Sequence, residues 1–338
     1  MNIAMALTER GLIPDPIVRY GMRRLILRRL KEEASKQKNN YEGNWAKKAI
    51  AIETDAANRQ HYAIPAEFFR IILGPRLKYS SCFWSDDTED LKTAEENALS
   101  QTMERAQIKD GMDILELGCG WGSLTLRMAE QFPHSKILAI SNSQSQREYI
   151  NSQCAQRGFL NVTVLTQDIN TFLPHRLFDR IVSVEMLEHV RNHKALFSRI
   201  ASWMKPGAFF FAHVFCHRSY AYPFETEGDD NWMGRYFFTG GMMPSEKTLL
   251  NEKGGLILAH FWRWDGTHYQ KTARAWIKNL DSRRNEAHNI LSGVYVRETT
   301  LWLTRWRLFL MACEEFFGYS AGQEWGVGHY LFQKPENE

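Results

Sequence analysis

Residues 113–132, DILELGCGWGSLTLRMAEQF, set three glycines at alternate positions between an apolar run and a helical pattern. No other feature limits the fold of the chain so strongly. The run DILEL has the apolar density of a buried strand, and from Ser123 onward apolar residues recur at helical spacing. Only a sharp turn fits between them. Gly118, Gly120 and Gly122 permit backbone conformations closed to other residues and let a ligand approach the main chain, while the following helix offers free N–H groups. Two phosphate-binding patterns are excluded. The dinucleotide fingerprint needs GxGxxG with an acid about 20 positions on, whereas here the spacing is GxGxG and the next strand ends in AISNSQ. A P-loop needs a lysine that is absent here.

The same cadence repeats along the chain. KILAIS, NVTVLTQD, FDRIVSVE and AFFFAHVF read as strands, separated by the helical patterns SQSQREYINSQCAQRG and NHKALFSRIASWMKPG. ALSQTMERAQI reads as a helix before the first strand. Alternation of this kind predicts a parallel sheet covered on both faces. A polar, aromatic stretch over 216–250 interrupts it, and strand-like runs return at 256–264 and 325–333, with helical patterns over 270–292 and 294–318 between them. We therefore expect an α/β, doubly wound, mostly parallel seven-stranded sheet. Residues 1–94 form a helical N-terminal cap and 95–338 the core, with insertions at about 215–250 and 265–320, the second a helical insertion before the last strand. Within the cap, residues 16–36 read as a basic amphipathic helix with Ile17, Tyr20, Leu25, Ile26 and Leu30 on its apolar side. Such a helix packs on its own domain, lies on a membrane or meets a partner.

Composition narrows the function. A net charge of +3 over 338 residues is too small to argue for nucleic acid. Five scattered cysteines without CxxC argue against a disulfide framework or structural zinc and for a reducing compartment. With no long apolar run and no signal-peptide pattern, a cytoplasmic location is expected and membrane contact is not. Eleven tryptophans, concentrated after residue 208, supply core and a supply of rings for a pocket.

The arrangement E-x-G-x-G-x-G from Glu116 resembles the S-adenosylmethionine motif of Rossmann-like class I methyltransferases. The ordered set YAIPAEFF, LKYSSCFW, ILELGCGWGSL, SNSQSQ, VEMLEH and RYFFTGGMMPS resembles, more narrowly, the cyclopropane-fatty-acid-synthase group. HFWRWDGTHYQKTARAW and FFGYSAGQEWGVGHYLF bring the likeness nearest to its coclaurine N-methyltransferase branch, whose members methylate tetrahydroisoquinoline amines. The resemblance implies S-adenosylmethionine as cofactor and a small cyclic or aryl-alkyl amine as substrate. It places Tyr79 and Ser80 over the cofactor's methionine end, and Glu116, Gly118, Gly120 and Gly122 in the loop beneath. Ser141, Asn142 and Gln146 would take the ribose and neighbouring groups, and Asp168 with Ile169 the adenine. Tyr79, His213, Phe238, Trp325 and His329 would meet the substrate, Trp325 foremost. Trp232, Trp262, Trp264 and Trp276 are expected in core or lid packing. A homodimer is one option for its assembly.

In VEMLEH, two carboxylates and an imidazole follow a strand end. An amine must lose a proton before it can attack a methyl group, and a carboxylate beside a histidine suits that task. The resemblance makes Glu188 and His189 the catalytic pair and puts Glu185 against the cationic amine. Read from the residues alone, Glu185 is equally an acid at the start of the next helix and His189 a core histidine. ExxEH lacks a third metal ligand. The rival within the group is a lipid cyclopropane synthase, which cradles bicarbonate with a Cys, a Glu, a His and a Tyr. Here the Glu and His positions are Glu188 and His213, but Ser81 stands in the cysteine position, with Cys82 beside it, and Phe309 in the tyrosine position. Those departures favour an amine. A third reading, a cofactor-binding protein without catalysis, sits poorly with an intact glycine loop and EMLEH.

Overall fold

The computed structural model describes residues 3–37, 49–52, 64–228, 230–251 and 254–336. Tyr62 and Ala63 of YAIPAEFF lie outside them. The chain opens with α1 (Ile3–Glu9), α2 (Asp15–Gln37), α3 (Ala66–Ile72) and α4 (Leu91–Arg105). The core then runs β1 (Asp113–Leu117), α5 (Ser123–Gln131), β2 (Lys136–Ser141), α6 (Gln144–Arg157), β3 (Val162–Thr166), β4 (Phe178–Val184), α7 (His193–Trp203) and β5 (Met204–His217). A two-stranded ribbon of β6 (Tyr222–Pro223) and β7 (Met242–Met243) brackets α8 (Trp232–Tyr236), and α9 (Thr248–Asn251) follows. The chain ends with β8 (Ile257–Asp265), α10 (Gly266–Ser282), α11 (Arg284–Ser292), α12 (Thr299–Gly318) and β9 (Trp325–Gln333).

Local chemistry sets several boundaries. Ser143 and Asn192 accept N–H bonds from Gln146 and Ala195, capping α6 and α7. Gly158 ends α6 in the left-handed region. The single helix expected over 270–292 breaks in two at Arg283, and the next starts at Thr299 rather than 294.

The seven strands lie in the order β3-β2-β1-β4-β5-β9-β8, with β1 to β5 parallel and β9 antiparallel to both neighbours. Strand order reverses between β1 and β4. In an open α/β sheet a crevice forms at that reversal, at the carboxyl ends of the strands. Here those ends carry the glycine loop and Glu185.

The N-terminal helices pack on their own chain. Val18, Met22, Ile26 and Leu30, four residues apart, face the core, while Ile17, Tyr20 and Leu25 are exposed, contrary to the expected apolar side. Arginines carry the rest of the contact. Arg19 pairs with Glu314 and Glu315 of α12, Arg307 of α12 with Asp15, and the buried Arg305 with Glu9. Phe68 and Phe69 of α3 pack on Trp306 of α12, so cap and insertion share one apolar core. The division drawn at 94/95 falls inside α4, which crosses it unbroken.

Candidate active site

The crevice holds a cavity that opens to solvent. One end is built on the glycine loop. Gly118 and Gly122 have φ of 79° and 81°, and a Cβ on either would come within 2.7 Å of Met186 or Ile150. Only glycine satisfies both conditions. Glu116, at the end of β1, accepts the Thr125 hydroxyl at 2.5 Å, which ties strand to helix across the turn. Burial lifts its carboxyl to about 8, opposed by that hydrogen bond. Ser141 donates to Gln146 at 2.6 Å and accepts the Ser143 N–H at 3.0 Å. Asp168 accepts two bonds from Asn170, one from its backbone and one from its side chain. Ser141, Asn142, Gln146, Asp168, Ile169, Glu116, Gly118 and Gly120 all line the cavity. Gly122 does not, and acts instead as the N-terminal cap residue of α5. Trp121 shares this wall, and its buried indole N–H has no partner among the described residues, a donor suited to a polar ligand group. The set fits S-adenosylmethionine: an open glycine backbone for an amino-acid tail, hydroxyl and amide groups for a ribose, a carboxylate for an exocyclic amine.

The other end is aromatic and carries one carboxylate. Tyr79, Phe215, Phe238, Tyr269, Trp276, Phe309 and Cys313 surround Glu185 and His189. Glu185 follows β4 directly with φ of 48°, an uncommon conformation for a residue with a side chain. It is therefore not the first residue of a helix: a single 3₁₀ turn at Leu187–His189 follows, and α7 starts only at His193. Its Oε1 accepts the Ser81 N–H at 2.9 Å and faces His213 Nε2 at 3.2 Å, while its Oε2 accepts the Tyr269 hydroxyl at 2.8 Å. Burial raises its pKa, against the Lys78 ammonium and the bonds from Ser81 and Tyr269. Glu188 is displaced further, by its own burial and by the charge of Glu185. The first carboxylate of the two to form is therefore Glu185. His189 stacks on Phe238 with ring centroids 5.8 Å apart, and burial lowers its pKa to about 4, so it stands as a neutral imidazole.

The strap 74–81 closes this end. Glu95 of α4 accepts the N–H groups of Gly74, Arg76 and Lys78. The fully buried Lys78 donates to Ser80 Oγ and the Ser81 carbonyl, which fixes Tyr79, Ser80 and Ser81 against the cavity.

Four residues expected at the site lie elsewhere. Trp325 is fully buried, donates to the Tyr222 hydroxyl at 3.2 Å and packs on Phe316, because β9 is an interior strand covered by α12 and its flanks. His213 and His329 stand behind Glu185, inside the sheet, and neither lines the cavity. Glu188 does not line it either: its Oε1 accepts the Phe215 N–H at 2.7 Å, and its Oε2 has no partner among the described residues. Trp276, assigned to packing, lines the cavity. Tyr269 and Phe215 escaped sequence reasoning. Tyr269 lies in HFWRWDGTHYQKTARAW, but no spacing in that motif points its hydroxyl at Glu185.

Residues 51–323 match the mycolic acid cyclopropane synthetase family. (S)-Coclaurine N-methyltransferase from Thalictrum flavum subsp. glaucum is 35% identical over 339 residues, covering 96% of this chain and 94% of that protein. A crystal structure of coclaurine N-methyltransferase bound to N-methylheliamine and SAH superposes with a TM-score of 0.93 at 33% identity, covering 98% and 99% of the two chains. Cyclopropane-fatty-acyl-phospholipid synthase of Escherichia coli (strain K12) is 29% identical over 248 residues, covering 72% of this chain and 62% of that one. Likeness that runs nearly end to end with the first two, together with a glycine loop shaped for the shared cofactor, places the chain in the mycolic acid cyclopropane synthetase family, in its coclaurine N-methyltransferase-like branch, as an S-adenosylmethionine-dependent N-methyltransferase.

Proposed function

We propose that the chain N-methylates small cyclic or aryl-alkyl amines of the tetrahydroisoquinoline type. One observation carries the reading: a single carboxylate, Glu185, lies among aromatic rings in the cavity that continues into the glycine loop. A flat ammonium ion suits that surface, because rings attract it by cation–π contact and the carboxylate by charge. The relatives agree with it, being named for coclaurine and found with N-methylheliamine.

In this reading Gly118, Gly120, Ser141, Gln146 and Asp168 hold S-adenosylmethionine, which supplies an electrophilic methyl on a sulfonium. The chain's own residues manage the amine. Glu185 receives the ammonium and orients it. His189, neutral and buried, accepts one N–H proton, so that the nitrogen presents a lone pair. Glu188, uncharged behind it, adds no second negative charge to the floor and holds the Phe215 backbone; with His189 it forms the pair on which turnover depends. The aromatic wall excludes water and fixes the ring plane.

Lipid cyclopropanation is the weaker reading. Of the bicarbonate positions, Phe309 lines the cavity without a hydroxyl, and Ser81, Glu188 and His213 do not line it. The test is label transfer from S-adenosylmethionine to a panel of tetrahydroisoquinolines and aryl-alkyl amines, run beside unsaturated phospholipid vesicles. Label on an amine is the expected result; label on lipid with none on amine would sink the proposal.

A further inference from the structure

Behind Glu185 a file of hydrogen bonds leads away from the cavity. His213 Nε2 lies 3.2 Å from Glu185 Oε1, His213 Nδ1 lies 2.9 Å from His329 Nε2, and His329 Nδ1 lies 2.6 Å from Arg105 Nη1. The geometry comes from the sheet. His213 on β5 and His329 on β9 are direct cross-strand partners, and Arg105 closes α4, its guanidinium over the rings of Trp262 and Trp264. Both histidines are wholly buried and Arg105 is partly exposed.

The protons in this file have one consistent placement. A guanidinium donates and never accepts. His329 Nδ1 must therefore be bare, and its single proton sits on Nε2. That N–H donates to His213 Nδ1, which must be bare in turn, so the proton of His213 sits on Nε2 and points at Glu185. Neither ring can hold a second proton without breaking the file. Burial and the nearby positive charges of Lys78 and Arg105 also disfavour the imidazolium forms.

The consequence falls on the carboxylate. A carboxylate offers about four lone-pair sites. Three take donors from the chain: the Ser81 N–H, the Tyr269 O–H and the His213 N–H. With Glu185 lining the cavity, the remaining site is left for a ligand that donates. The opposite proton placement on His213 would set a lone pair against Glu185 and favour a protonated, uncharged carboxyl.

We propose that Arg105 is a positioning residue for the substrate ammonium, acting through His329 and His213 to keep Glu185 a pure acceptor. This deepens the amine reading above and rests on it for the ligand's charge. The relay selects cationic amines over neutral molecules of the same shape.

The experiment uses the full chain with isotope-labelled histidine side chains, read by long-range proton–nitrogen NMR. In the parent protein both His213 and His329 carry their proton on Nε2; a proton on Nδ1 of either ring, or on both nitrogens, overturns the proposal. Arg105→Met removes the donor, and we expect mixed proton placement on the two rings. Arg105→Lys, still a pure donor, restores the parent pattern. Affinities for tetrahydroisoquinoline and its neutral oxygen isostere isochroman give the second readout. Arg105→Met weakens the amine on the order of tenfold, the worth of one hydrogen bond to a charged acceptor, and leaves isochroman and S-adenosylmethionine binding unchanged. Equal weakening of amine and isochroman, or no change in ring protons, overturns it. Parent ring protons as described, with no amine bound, would leave the relay standing and sink the substrate reading instead.

Discussion

In the proposed reading turnover depends most directly on His189, since no other neutral base lines the aromatic end among the described residues. His189→Ala is expected to lower kcat by roughly a hundred- to ten-thousand-fold, with S-adenosylmethionine affinity by calorimetry unchanged. Loss of cofactor affinity in that variant would make the ring structural. Glu116 gives a second prediction, on stability. Its carboxyl is raised from 4.5 to about 8, so the folded chain holds a proton that the unfolded chain has already released. The contribution is complete below the unfolded value and is lost as pH rises through the folded one. Glu116→Gln removes that loss, and between about pH 4.5 and 8 its melting temperature should fall less, or rise more, than the parent's. Types of residue were legible at this scale, and orientation was not. Glu185, His189, Tyr79 and Phe238 reach the cavity as the motifs suggest. Trp325 carries the chemistry expected of a substrate contact but faces Phe316, and nothing in WGVGHYLF marks the strand as interior.

At the scale of elements, the strap 74–81 shows how a helix sets a site it never touches. Glu95 of α4 satisfies three backbone N–H groups with two oxygens, and Lys78 then locks Ser80 and Ser81. Glu95→Gln leaves one oxygen and one amide. At least one of the three N–H groups loses its acceptor, Arg76 in one orientation of the amide and Gly74 with Lys78 in the other, which costs about 1–3 kcal/mol. A lowered denaturant midpoint with a raised amine KM is the expected outcome; an unchanged KM would show that the strap holds its place without Glu95. The α2 helix teaches a related lesson. Its existence was legible from the spacing of its apolar residues and its packing face only in part: Ile26 and Leu30 face the core, Ile17, Tyr20 and Leu25 do not, and Arg19 pairs with Glu314 and Glu315 beside the apolar contact.

Across the whole molecule, buried histidines set the response to acid. His189, His193 and His217 have pKa values near 4, and His213 and His329 lie well below their usual 6.5, burial being the first cause in each. All are neutral in the fold, while the unfolded chain takes up protons near 6.5. Stability is thus complete above that value and falls as pH drops toward 4. Melting temperature should decline over that interval with net proton uptake on unfolding; a flat profile would contradict the buried, neutral histidines.

The order of strand, glycine turn and helix was decided in the sequence itself, because only that order lets DILEL bury, GCGWG turn and SLTLRMAEQ pack. So was the glycine turn itself, since a left-handed backbone with no room for a Cβ, as at Gly118 and Gly122, admits only glycine. The tertiary structure decided what surrounds Glu185. Ser81, Tyr269, His213, His329 and Arg105 are far apart in the chain, and a hydrogen bond depends on distance and direction, which spacing along the chain does not carry. The register of β5 against β9 and the reach of α4 bring them into line, and that alignment is a property of the fold.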